Sequence, residues 1–254
     1  MSTEIGVQLE GHVATVTLRR PPNNFIDLSL TAQLADALEA LDAEATCRAV
    51  VLAAEGKHFC AGADFSQAGR RAGDADGKGR TIYTEGARLL RTRKPIVAAV
   101  QGAAVGAGLG LAVVADFRLA GPEARFAANF TRLGYHPGFG LTRSLPRLIG
   151  AQRAALMFMT GRRFTGAQAV EMGLADQLAD DVLAAAQALA AEIAEAAPLA
   201  IAATRATLRA GLAAEYEAAT AHELAQQAVL RETADFREGT AASRERRPPR
   251  FLGA

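Results

Sequence analysis

Residues 96–115 run for twenty positions without a charged side chain, and this constrains the fold more than any other stretch of the 254-residue chain. Twenty uncharged residues match the nominal length of a membrane-spanning helix. Here, however, the run contains Gln101 and the glycines Gly102, Gly106, Gly108 and Gly110, with Ala making up much of the rest. Pro95 and Asp116 bracket it. That composition is too weakly hydrophobic for insertion, so the segment belongs inside a folded protein. It is read as a strand over 95–101, a glycine corner, and a helix over 106–114.

The rest of the composition suits a core of the same kind. Half the residues are apolar, yet aromatics are only 6%, Trp is absent and there are 24 glycines. Such a core relies on close backbone approach. The length allows one large α/β unit or two domains, and it suffices for a core without disulfide or metal staples. Lys and Arg total 28 against 27 acids, and Lys57, Lys78 and Lys94 do not cluster. This balance argues against a nucleic-acid partner. Cys47 and Cys60 show neither metal spacing nor a disulfide framework, and the first twelve residues lack a signal-peptide pattern. A reducing, cytoplasmic setting is expected, with no metal and no membrane partner.

Along the chain, residues 7–20 alternate as two strands turning at Gly11-His12. Leu30, Leu34, Leu38 and Leu41 mark one helix face, with Asp27 or Ser29 as the N-cap. A buried strand over 49–54 leads to His58-Phe59-Cys60, and residues 66–80 read as a functional loop. Residues 81–93 form a helix, where Tyr83 and Glu85 are weaker candidates for an acid or base and are expected on an exposed face. After a short strand at 117–120, the pattern from Leu141 onward is almost entirely helical. Val182, Leu189 and Ile193 share a face, and Pro198 fits the first turn of the next helix. The expected architecture is an α/β core over 1–197 followed by helices over 198–254.

Two corners carry the chemistry, residues 60–64 after a strand and residues 102–108 before a helix. Glycine lets backbone N–H groups face a ligand, and a helix N-terminus favours negative charge. Facing each other, the corners would form an oxyanion hole; alternatively they are only packing turns. A dinucleotide fingerprint fails, because Leu111 stands where a third glycine is required. Neither a phosphate-loop Gly-Lys-Ser/Thr nor a serine nucleophile elbow occurs.

The runs VVLAAEGKHFCAGADF and KPIVAAVQGAAVGAGLGLAVVADFRLA resemble the two signature segments of the enoyl-CoA hydratase/isomerase (crotonase) superfamily. FTRLGYHPGFGLTRSLPRLIG and TGRRFTGAQAVEMGLAD continue the resemblance in order, from RPPNN near the start to RRPPRFLG at the end. It implies an α/β crotonase-like spiral of repeated ββα units, with C-terminal helices assembling a homotrimer or homohexamer. It also implies an acyl-CoA thioester as substrate, coenzyme A being part of that substrate and no separate cofactor being needed. By position, the thioester oxygen falls between the N–H groups of Ala63 and Ala107. Ala61, Gly62, Asp64, Phe65 and Ser66 would contact the coenzyme, and Gly106, Phe130 and Tyr135 the rest of the substrate. Asp64 is read as holding its turn rather than reacting.

The chain departs from the family's hydratases at the positions of their two glutamates, which are Gly110 and Phe130 here. The acid of related isomerases falls on Gly138. Without a carboxylate to move protons, ordinary enoyl-CoA hydration is expected to be inefficient. His136, beside Tyr135 and Pro137, is the candidate acid or base. The competing reading makes it a loop residue held by solvent or a backbone carbonyl, since neighbours in an extended loop point apart. Decarboxylation of a malonyl-type thioester, hydrolysis of a thioester or β-diketone, and non-catalytic CoA-thioester binding are the alternatives. Arg244 to Arg250 read as solvated, with an occasional member meeting a CoA phosphate.

Overall fold

The computed structural model describes residues 4–63, 75–77 and 79–254. The chain opens with an antiparallel hairpin, β1 (Ile5–Glu10) and β2 (Val13–Leu18). Helix α1 (Leu28–Ala43) starts at Asp27, whose carboxylate accepts from the Leu30 N–H at 2.9 Å, so Asp27 and not Ser29 is the cap. Its leucines 30, 34, 38 and 41 are all buried. β3 (Ala49–Ala54) follows, then α2 (Ile82–Leu90), which Thr81 and Thr84 close with a capping box.

The uncharged run becomes β4 (Ile96–Val100), β5 (Ala103–Val105) and α3 (Ala107–Val114). β6 (Phe117–Ala120) and β7 (Arg125–Ala127) come next, ahead of a 3-10 turn at Asn129–Leu133. Helices α4 (Leu141–Ile149) and α5 (Ala151–Thr160) lead to β8 (Phe164–Thr165), α6 (Gly166–Glu171) and β9 (Gln177–Leu178). The chain closes with α7 (Val182–Glu195), α8 (Pro198–Leu208), α9 (Leu212–Leu230) and α10 (Ala234–Glu245).

A six-stranded sheet has the order β1-β2-β3-β4-β6-β9, and a smaller one has the order β5-β7-β8. In the large sheet every pairing beyond the first hairpin is parallel. Successive units each place one strand in the large sheet and a short one beside it. β4 is followed by β5, β6 by β7, and β3 by a single bridge from Cys60 to Ala104. This is the ββα spiral with a helical C-terminal region. β5, β7, β8 and β9 escaped the sequence reading because two or three residues cannot display a period of two.

Each face of the large sheet has its own cover. Leu18, Leu52, Ala98 and Val100 join the main core with α1, α2 and α3. On the other face Val51, Val97, Ala99 and Leu119 meet Val182, Ala186, Ala190 and Ala194 of α7. Leu189 and Ile193 pack partly buried at the edge of that stripe. Alanine at every fourth position lets the helix approach the sheet closely. Among the described residues no single helix is long and apolar enough to cross a membrane. The C-terminal end of α3 is tied down by Arg209, which donates to the Val114 carbonyl at 3.1 Å and to Asp116 at 2.8 Å. Asp116 also holds Arg205 of α8 at 2.7 Å.

Candidate active site

A cavity of about 720 Å³ opens between the two glycine corners, α2, the 3-10 turn, α9 and α10. Backbone ladders hold the corners side by side. Phe59 N donates to Gln101 O and Cys60 N to Ala103 O, both at 2.9 Å, and Val105 N returns to Cys60 O at 3.1 Å. Behind them lies Asn24, fully buried, whose amide donates to the carbonyls of Glu55 (2.8 Å) and His58 (2.7 Å). Two glycines make the arrangement possible. Gly106 takes φ +57° and ψ −122°, a backbone shape that admits no side chain comfortably. At Gly108 a Cβ would stand 2.1 Å from the Cys60 carbonyl oxygen, so α3 can start against this strand only because that atom is missing.

Ala61, Gly62, Ala63, Gly106 and Ala107 all line the cavity. Ala107 is the first residue of α3, where an N–H has no partner within the helix. At Ala63 the bridge to Ile26 uses the Gly62 carbonyl, which accepts from Ile26 N at 2.9 Å. Asp64, Phe65 and Ser66 lie outside the described residues. Cys60 supplies no nucleophile: burial pushes its thiol up to about 12, so it stays protonated.

No carboxylate stands among the described lining residues, and the structure shows what surrounds the three positions where the resemblance looked for acids. A Cβ at Gly110 would lie 2.6 Å from Cδ1 of Phe139, whose ring fills the space above α3. The ring of Phe130 lines the wall directly. At Gly138 a Cβ would meet Gln227 Nε2 at 2.5 Å and the Tyr83 oxygen at 2.9 Å. Apolar rings, an amide and a phenol therefore occupy the space at and beside positions 110, 130 and 138.

The polar floor joins Tyr135, expected there, to Tyr83, expected on an exposed helix face, and to Gln227, which no sequence signal singled out. Tyr83 and Glu85 are buried rather than exposed, because α2 is packed between α1 and α9 and has little free surface. Glu85 pairs with Arg88. Tyr83 reaches the cavity and donates to Gln227 Oε1 at 2.8 Å. Burial raises its pKa, which keeps it a neutral phenol. Tyr135 donates to the same oxygen at 2.8 Å, and Arg231 donates to Tyr135. One turn earlier on α9, Glu223 accepts from Gly140 N (2.8 Å), Thr142 N (3.0 Å) and Thr142 Oγ1 (2.6 Å), fixing the turn that carries Phe139. Burial raises the Glu223 pKa against those hydrogen bonds. Glu223 and Gln227 continue the buried face of Leu212, Tyr216 and Thr220. That stripe, at spacings of three and four, was the available signal, but polar residues on a terminal helix suggest solvent.

His136 does not line the cavity; Tyr135 does. The imidazole Nδ1 sits 2.8 Å from the Pro137 carbonyl, and the ring meets His222 edge-on at 6.0 Å. The loop alternates, and Tyr135 takes the inward phase. His136→Ala is expected to keep acyl-CoA turnover within about twofold of wild type. A loss of a hundredfold or more in steady-state assays would return the imidazole to the site. Arg244, with Thr240 and Ser243, adds a polar strip from α10 to the cavity wall.

The sequence profile of enoyl-CoA hydratase/isomerase matches residues 8–254. A Mycobacterium tuberculosis protein named probable enoyl-CoA hydratase EchA14 is 40% identical over 250 residues, covering 94% of this chain and 97% of the relative. The 2,3-dehydroadipyl-CoA hydratase of Escherichia coli is 33% identical and covers 99% of both chains. In structure, an enoyl-CoA hydratase/isomerase from Pseudoalteromonas atlantica superposes with a TM-score of 0.87 at 29% identity. It covers 98% of this chain and 100% of its own.

Proposed function

The chain belongs to the enoyl-CoA hydratase/isomerase family of acyl-CoA enzymes, and from there we propose that it holds its substrate's thioester oxygen between the Ala63 and Ala107 N–H groups. The enolate formed on that oxygen is stabilised without a carboxylate pair. One observation carries this reading. Both N–H corners line a single cavity, while the spaces next to Gly110 and Gly138 and position 130 itself are filled by Phe139, Gln227, Tyr83 and Phe130.

The physical consequence is a division of labour. Two aimed N–H groups in an apolar cavity stabilise an oxyanion better than mobile water does. The α3 N-terminus adds the favourable end of its dipole. Adding water across a double bond further requires a group that takes one proton and delivers another, worth about 10²–10⁴-fold for each such group. Hydration of a simple enoyl-CoA is therefore slow here, and enolate stabilisation is the site's main contribution.

The oxyanion contacts can be tested without turnover. Butyryl-CoA labelled with ¹³C at the thioester carbonyl should show a lower carbonyl stretching frequency when bound than when free. An unchanged frequency in the bound state would remove Ala63 and Ala107 from the thioester oxygen.

A further inference from the structure

The cavity floor offers one hydrogen-bonding capacity that no described residue uses, and the orientation of Gln227 determines its sign. Gln227 Nε2 donates to the carbonyls of His136 (3.0 Å) and Pro137 (3.2 Å). Carbonyls only accept, so the amide cannot be turned over, and Oε1 must face the two phenols. Tyr83 and Tyr135 both donate to it at 2.8 Å. Each phenol has one proton, and each proton is engaged there. A phenolic oxygen can also accept. Arg231 donates to the oxygen of Tyr135, whereas among the described residues none donates to that of Tyr83.

We propose that the Tyr83 oxygen, oriented by Gln227, is a specificity-determining acceptor that selects acyl groups bearing a hydroxyl over those bearing a methyl or an oxo group at the same place. This rests on the reading that the acyl thioester occupies this cavity. The Tyr83 oxygen lies 2.9 Å from where a Cβ at Gly138 would stand, so it fills the space an acid there would have used. The functional difference is one of sign. An ionised acid accepts hydrogen bonds and can take a proton, while a neutral phenol with its proton engaged accepts without taking one. A hydroxyl on the acyl chain donates into that position, but a carbonyl oxygen meets lone pair against lone pair. A methyl group leaves the oxygen buried without a partner.

Binding of ligands that cannot react tests this directly. 3-Hydroxy-2,2-dimethylpropanoyl-CoA has no α-hydrogen and cannot eliminate water, and 2,2-dimethylbutanoyl-CoA replaces its hydroxyl by methyl. In the wild-type protein the hydroxylated thioester should bind about three- to tenfold more tightly by calorimetry, the value of one neutral hydrogen bond. In Tyr83→Phe that ratio should fall to near one. Gln227→Met removes the acceptor that engages the Tyr83 proton, leaving the phenol free to donate. Preference should then move toward 2,2-dimethyl-3-oxobutanoyl-CoA.

A wild-type ratio near one overturns the proposal without needing any variant. So does a ratio that persists in Tyr83→Phe, or an unmoved preference in Gln227→Met. In each of those cases tight binding of both thioesters leaves the parent reading standing. If neither thioester binds the wild-type protein, the cavity reading itself fails and the proposal goes with it.

Discussion

The triple variant Gly110→Glu, Phe130→Glu, Phe139→Gly is expected to hydrate crotonyl-CoA at least about 10²-fold faster than the wild-type chain, the lower value of one positioned acid–base group. The three changes belong together for steric reasons. A Cβ at position 110 would sit 2.6 Å from Cδ1 and 3.0 Å from Cβ of Phe139, so the new carboxylate has no room until that ring is removed. Phe139 also holds φ at +60°, a region that glycine occupies without strain. Gly110→Glu alone is therefore expected to cost about 1–3 kcal/mol of stability through overpacking, with no gain in hydration. Initial rates of crotonyl-CoA consumption and a thermal melt separate these outcomes. A single Gly110→Glu variant that hydrates as fast as the triple one would show that Phe139 is not the obstacle.

The second large effect is expected at Gly108→Ala, one methyl group at the root of α3. That Cβ would stand 2.1 Å from the Cys60 carbonyl oxygen and 2.8 Å from the Cys60 Cβ. Neither obstacle is the end of a flexible side chain, so α3 must move away from the strand. The movement separates the Ala107 N–H from the Ala63 corner. Misplacing one oxyanion donor costs about 10²–10³-fold in turnover, and the variant should also lose the carbonyl frequency shift of bound labelled butyryl-CoA. Gly77→Ala, at a glycine with open space around its missing Cβ, provides the control. Wild-type turnover by Gly108→Ala would mean that close contact between α3 and the Cys60 strand is unnecessary for catalysis.

The contrast between the glycine corner and the cavity floor shows what is legible in a sequence. Gly102 and Gly106 could be identified as a backbone corner because a positive φ is a local requirement, whereas the missing Cβ at Gly108 makes room for the Cys60 carbonyl, far away in the sequence. The capped start of α1 and its leucine face are likewise statements about neighbours within one or two turns. Tyr83 was misplaced because a helix pattern shows how apolar each face is, not how many neighbours the helix meets. α2 packs against both α1 and α9. Gln227 supplies the amide that Tyr83 and Tyr135 share, and it is 144 residues from the first and 92 from the second. Contacts at that distance leave no periodic trace in either segment.

His136 illustrates the intermediate case. The loop identified it together with Tyr135 as the pair in which at most one residue faces inward. Which one did so depended on phase, and the phase is set by the turn at Gly134 and by Glu223 gripping Gly140 and Thr142 from α9. The more reactive residue type lost to the residue whose side chain the surrounding helices could accommodate.

The sequence by itself determined two things: where glycine lets the backbone turn, and that positions 110, 130 and 138 hold no acid. Both are properties of single residues and their immediate neighbours. Only the tertiary structure decided what filled those positions, Phe139 over Gly110 and Tyr83 with Gln227 beside Gly138. It also decided that the Tyr83 oxygen presents an acceptor, because the direction of the Gln227 amide depends on two backbone carbonyls that reach it only once α9 is packed.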